Sequence, residues 1–305
     1  MSSPTAVLLQ THFFDNTMDR LYHRLRASCP PHYACYVLIH LPPNAVKPDR
    51  LRHVPHHFVT TPEIRDPAYP AKSAGGSDWN IWAGGHSDLV WLHFLRSHPE
   101  FERVWCIEYD VRFSGPWSRL FTAFEENEAD LLTTTLRTAA TDPHWIYWPV
   151  ALMPPDHAAL PPETDRIKGF MPVLRVSRAG TKAIDGAYRA GWGGHCEATW
   201  PTLIHQAGLR IEDIGDHGPF VRPANRGRFY SNTSLTWNYA PGTFVYKPAK
   251  HFVGLRRNRL YHPIKPLQAT LREDWGRLQA KLRVTFPGLV SRLPPMLGGR
   301  LPRAR

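Results

Sequence analysis

A chain of 305 residues, 42% hydrophobic and 12% aromatic, is long enough to bury a sizeable core and too apolar for a disordered protein. Its 37 Lys and Arg against 26 Asp and Glu give +11, which favours anionic partners without choosing among nucleic acid, nucleotides, phosphate groups and an acidic membrane surface. Part of that excess lies in an arginine-rich C-terminal stretch, which raises the charge without describing a site, and the 30 prolines point to many ordered, irregular loops.

Ala6–Thr11 reads as a buried strand. Asp15 or Asn16 then caps a helix whose Met18, Leu21, Tyr22 and Leu25 share one face, and Tyr33–Leu41 supplies a second strand. This opening predicts a parallel βαβ unit. Between Pro42 and Gly85 only Phe58–Thr61 looks like a strand. Ser87–Arg96 reads as a buried helix ahead of an apolar strand through Val104–Ile107, followed by a helix over Trp117–Glu126 and a strand over Asp130–Thr135.

The prolines and aromatics between Thr141 and Pro162, with Trp145, Tyr147 and Trp148, suit either the wall of a cleft or a cluster closing a core. Met171–Ser177 reads as a strand entering a helix over Ser177–Ala190. A Gly-rich turn, Gly191-Trp192-Gly193-Gly194, then opens a helix carrying His195 and Glu197 at its start, and Leu209–Ile214 is a late strand. From Leu267 to Arg305, Leu267, Leu271, Trp275, Leu278 and Leu282 recur at helical spacing among basic residues. This tail either packs on the parent domain or makes peripheral membrane contact.

Chemistry concentrates where the Val104–Ile107 strand ends in Glu108-Tyr109-Asp110. Alternation would put Glu108 and Asp110 on one face, as hard oxygen ligands for Mg²⁺ or Mn²⁺ or as acids neutralised by Arg112 and backbone donors. Far downstream, His262-Pro263-Ile264-Lys265 offers an imidazole to a metal and an ammonium to a phosphate, or is an ordinary surface loop. His53, His56 and His57, lacking matching carboxylates, read as a solvated loop.

In this order of motifs the chain resembles the GT-A class of nucleotide-sugar glycosyltransferases, with Glu108-Tyr109-Asp110 in the D-x-D position and His262 as the late histidine. The resemblance spans about residues 6 to 265, and Glu in place of the first Asp is its departure from the pattern. It implies an α/β fold, a Rossmann-like GT-A domain with a mostly parallel central sheet flanked by helices, plus a basic C-terminal helical tail. The domain would cover 1–266, with a nucleotide-binding half at 1–135 and an acceptor half at 136–266, and the tail 267–305.

By the same resemblance Glu108, Asp110 and His262 would hold a divalent cation, Mn²⁺ or Mg²⁺. Lys265 would face the diphosphate of a nucleoside diphosphate sugar. Gln10, Thr11, His12 and Asp78 would touch the nucleotide, with Trp79 an alternative to Asp78. Glu197 would act as base in an inverting transfer to a hydroxyl of a glycan or lipid-linked acceptor. Two other classes stay open: a non-catalytic glycan- or nucleotide-binding α/β protein, and a nucleic-acid-binding protein, for which no recognised module is visible.

Four cysteines, Cys29, Cys35, Cys106 and Cys196, form no C-x-x-C pair, so reduced thiols are expected rather than a zinc knuckle. The first residues lack a basic n-region and Ala6–Leu9 is too short to span a bilayer, which makes the cytoplasm, with the inner face of a membrane, the expected location.

Overall fold

The computed structural model describes residues 4–74, 81, 84–232 and 242–267. In chain order these form β1 (Thr5–Thr11), α1 (Asn16–Ser28), β2 (Tyr33–Leu41), β3 (His56–Thr60), α2 (Thr61–Ile64), α3 (Asp88–Ser97), β4 (Arg103–Glu108) and β5 (Arg112–Phe113). They continue as α4 (Trp117–Ala123), β6 (Leu131–Thr138), α5 (Trp148–Ala151), β7 (Ile167–Ser177), α6 (Arg178–Arg189), α7 (Cys196–Gln206), β8 (Ile211–Asp213) and β9 (Leu260–Tyr261).

Seven strands make one sheet in the order β3-β2-β1-β4-β7-β6-β8. Strand β7 runs antiparallel to β4 and β6, and every other neighbouring pair is parallel. The expected mostly parallel, Rossmann-like α/β sheet is therefore present, with one reversed strand. Alternation within the strands divides the core into two apolar layers. Val7, Leu9, Trp105 and Ile107 pack with Met18, Tyr22 and Leu25 of α1 and with Trp117, Leu120 and Phe121 of α4. Ala6, Leu8, Val104 and Cys106 pack on the opposite face with α3, α6 and α7 through Trp91, Phe94, Ile184, Tyr188 and Trp200.

Helix starts follow their capping chemistry. The Asp15 carboxylate accepts from the Thr17 and Met18 amides at 2.8 and 2.9 Å, so α1 begins at the first residue after that aspartate. Ser177 accepts from the Gly180 amide at 2.9 Å and turns the end of β7 into α6.

Three expectations change. His56 and His57, read as part of a solvated loop, open strand β3, where His57 Nε2 lies 2.8 Å from His93 Nδ1. The strand expected over Met171–Ser177 begins at Ile167, where β7 pairs with the end of β6. The helix expected to reach Glu126 stops at Ala123, because the backbone turns through Phe124 and Asn127. The tail beyond Leu267 lies outside the described residues.

Candidate metal and catalytic site

The parallel register sets Gln10 of β1 beside Glu108 of β4, so both strands end at the same edge of the sheet, the edge where α/β proteins commonly bind ligands. Strand β4 ends at Glu108, and Tyr109 and Asp110 form a turn closed by the Val111 amide on the Glu108 carbonyl at 3.0 Å. Strand alternation is thus not what aligns the two acids. Within that turn Asp110 is 5% exposed.

The distant His262 arrives through a second, two-stranded sheet in which β5 pairs antiparallel with β9, Arg112 opposite Tyr261 and Phe113 opposite Leu260. Just beyond that pairing the Ile264 amide donates to the Asp110 carbonyl at 2.8 Å, which ties the two motifs together by backbone alone. One ligand atom from each of Glu108, Asp110 and His262 lies within 4.8 Å of the others. His262 Nε2 is 3.4 Å from Asp110 Oδ1 and 3.8 Å from Glu108 Oε2. Its Nδ1 lies 2.8 Å from the Val245 carbonyl; since a carbonyl only accepts, Nδ1 carries a proton and Nε2 faces the acids.

Electrostatics separate these groups. Burial and then the Asp110 charge push the Glu108 carboxyl up to about 7, against the pull of His262 and Lys265. For Asp110 burial acts upward, but His262 and Lys265 outweigh it and hold the carboxyl below its ordinary value. Burial lowers His262, yet Asp110, Glu108 and the Val245 carbonyl raise it overall. Asp110 Oδ1 is buried and makes its ion pair with His262 Nε2. Two carboxyl groups and one imidazole converging in this way fit a hard divalent cation, which takes oxygen and imidazole ligands and displaces their protons when it binds.

Glu197 sits in the first turn of α7, a helix whose start is shaped by a Gly-rich turn. Gly194 has φ +113°, and a Cβ there would meet the Ala151 carbonyl at 2.3 Å, so the position admits only glycine without rearrangement. His195 is the N-cap, its Nδ1 3.3 Å from the Glu197 amide, and its ring stacks on Tyr147 at 4.8 Å. Burial raises the Glu197 carboxyl to about 7, against Lys168, a hydrogen bond from the Met171 backbone, and His262. Glu197 in turn raises Glu108, so the helix start and the acid cluster share one electrostatic environment.

The aromatic segment expected between Thr141 and Pro162 closes over this helix start, with Trp145 edge-on to His195 at 5.7 Å and Tyr147 raised by burial, Tyr246 and Glu197. The remaining residues divide by placement. Lys265 and His12 lie near the acids: Lys265 helps hold Asp110 low, and His12 is lowered by burial and Lys265 against Asp110. Gln10 and Thr11 are turned inward. Gln10 Oε1 accepts from the Trp91 indole at 2.6 Å, and Thr11 Oγ1 donates to the Phe13 carbonyl at 2.7 Å. Asp78 and Trp79 lie outside the described residues.

Sequence reasoning passed over Lys72 and Asp88. Lys72 Nζ is 3.1 Å from Asp88 Oδ1 with both side chains fully buried, and it donates to the carbonyls of Gly85 at 3.2 Å and Gly194 at 2.9 Å. This ammonium pins the turn that precedes Glu197. No local pattern marks it, since a single lysine in a Pro- and Gly-rich stretch reads as solvated.

No protein-family model matches the chain, and no curated protein matches it. Among solved structures it is similar to mouse xyloside xylosyltransferase 1 in its apo form, with 12% identity and a TM-score of 0.35 over 70% of this chain and 86% of that one. A likeness at this level defines neither substrate nor mechanism.

Proposed function

We propose that the chain is a metal-dependent glycosyltransferase that moves a sugar from a nucleoside diphosphate donor to a hydroxyl of a glycan or lipid-linked acceptor. The observation that carries this reading is the meeting of Glu108, Asp110 and His262 within 4.8 Å of one another, at the edge of the sheet where β1 and β4 end. Those residues would hold a divalent cation, Mn²⁺ or Mg²⁺, which neutralises diphosphate charge when bound. Lys265, close enough to bias Asp110, adds a second positive charge for the departing diphosphate.

Glu197 is the base. A carboxyl tuned to about 7 accepts a proton readily near neutral pH and exchanges it there. It takes the acceptor hydroxyl proton as that oxygen bonds to the sugar's anomeric carbon and the bond to the diphosphate oxygen breaks. A single displacement of this kind inverts the anomeric centre. Tyr147, stacked beside the helix start, offers an aromatic face to the acceptor sugar.

The test is thermal stabilisation by UDP, GDP and their common sugar conjugates, with and without Mn²⁺, since ligands of the native state raise its apparent stability. The expected result is a Mn²⁺-dependent shift that Asp110→Asn abolishes. Donor binding without transfer or donor hydrolysis across a broad acceptor panel would instead identify a binding protein.

A further inference from the structure

On the surface between α4 and the segment leading into β9 lies an open cavity of about 650 Å³ lined by Arg119, Arg228, Arg257 and Arg259 and, among the described residues, by no acidic side chain. Two of the four guanidiniums are fixed. Arg259 donates to the Gly227 carbonyl, and Arg228 lies 4.8 Å above the Phe229 ring. Arg119 and Arg257 are exposed. Cations gathered without a counter-charge repel one another, and an anion seated among them relieves that repulsion; guanidiniums match phosphate oxygens in geometry.

The chain next to this cavity is exposed from His251 through Arg257, with Phe252 78% exposed and Leu255 fully exposed. The loop is anchored at its far end, where Ser114 Oγ donates to the Arg256 carbonyl at 2.6 Å. No acid occurs between residues 242 and 267, a span that includes Lys247, Lys250, Arg256, Arg257, Arg259 and Lys265. Free phosphate would be met by the cations alone, and a nucleic acid, whose bases can stack on Phe252, would leave the fully exposed aliphatic Leu255 unused. A lipid surface uses both, because anionic headgroups attract the arginines while the apolar side chains enter the interfacial layer.

We propose that this face docks on an anionic phospholipid membrane, the arginine cavity receiving headgroup phosphates and Phe252 and Leu255 inserting beside them. The contact is independent of the acid cluster and of the transferase reading. It places the membrane-facing surface on the described domain rather than on the tail.

Full-length protein is sedimented with phosphatidylcholine vesicles, with and without phosphatidylserine, alongside binding measurements with inorganic phosphate and a single-stranded oligonucleotide. Binding is expected on the phosphatidylserine vesicles and to weaken with salt. Arg119→Gln/Arg257→Gln should lose roughly 25-fold in partitioning, about five-fold per cation. Phe252→Ser/Leu255→Ser should lose about ten-fold or more on the same vesicles with phosphate binding unchanged. Undiminished vesicle binding by both double variants, with melting temperatures of the parent, overturns the proposal. So does loss of phosphate binding in the arginine variant with no effect of the apolar one on vesicles, which marks a free-phosphate site. Oligonucleotide binding without vesicle binding overturns it in favour of nucleic acid.

Discussion

Two buried ionic clusters near the start of α7 are built from the same kinds of group and solve opposite problems. In the Lys72–Asp88 pair one ammonium meets one carboxylate at 3.1 Å, and the other carboxylate oxygen accepts from the Tyr188 hydroxyl at 2.5 Å and the Trp200 indole at 3.0 Å. Charge is balanced, and Lys72 also serves two backbone carbonyls. In the Glu108–Asp110–His262 cluster two carboxyl groups share one imidazole, at 3.8 Å from Glu108 and 3.4 Å from Asp110. Burial makes such an excess costly. The first cluster is balanced within itself and serves the fold, whereas the second has one carboxyl more than its imidazole can pair, an excess that a cation would neutralise.

The largest expected effects break the comparison at the acid cluster and its neighbour. Glu197→Gln should lower turnover by roughly 10²–10⁴, the range for losing a general base, with donor stabilisation retained. Asp110→Asn should lower activity by on the order of a hundred-fold or more and abolish metal-dependent donor binding, and should lower the melting temperature of the metal-free protein modestly near neutral pH, because it removes the carboxylate that His262 and Lys265 hold ionised. Steady-state kinetics beside calorimetry of each variant check both. Turnover at the parent rate in both variants would remove the assigned chemistry.

At the balanced cluster the larger effect falls on stability. Lys72→Met leaves the Asp88 carboxylate buried without its ammonium, at a cost of about 3–5 kcal/mol read by denaturant unfolding. The double variant Lys72→Met/Asp88→Asn should recover part of that loss, because no uncompensated charge remains. A Lys72→Met protein as stable as the parent would show that the pair does not hold the turn before α7.

The contrast also marks what a sequence discloses. The elements β1, α1 and β2 were legible because alternation, an Asp15 cap and one helical face are local signals, and the structure reproduces them almost residue for residue. Glu108-Tyr109-Asp110 and His262-Pro263-Ile264-Lys265 were legible as donor sets. The means of their meeting was not: β5 and β9 have two residues each, too short for any periodic pattern, and the turn at Tyr109–Asp110 looked like continuing strand. Strand direction is likewise not written locally, so the reversal of β7 was invisible. The Lys72–Asp88 pair joins a loop lysine to the first residue of α3, and nothing in either segment names the other.

A smaller effect sharpens the comparison through pH. The Glu108 and Glu197 carboxyls, each raised from 4.5 to about 7, bind protons in the folded chain that the unfolded chain has released between those values. Their contribution to stability is therefore fully present below the unfolded value and lost as pH rises through about 7, and the raised His262 acts in the same direction. Asp110, held below its ordinary 3.8, contributes in the opposite sense and loses its share as pH falls through its folded value. Metal-free protein should thus lose stability between about pH 5 and 8, by on the order of 3 kcal/mol per glutamate as an upper limit. Mn²⁺ should flatten the part of that slope due to Glu108, because a bound cation displaces its proton and favours the ionised form. The slope due to Glu197, which is not among the ligands, should persist, and Glu197→Gln should remove it. Melting curves across that pH range, with and without Mn²⁺, read both parts. A slope that Mn²⁺ leaves untouched in parent and Glu197→Gln alike would mean that the acid cluster takes no cation.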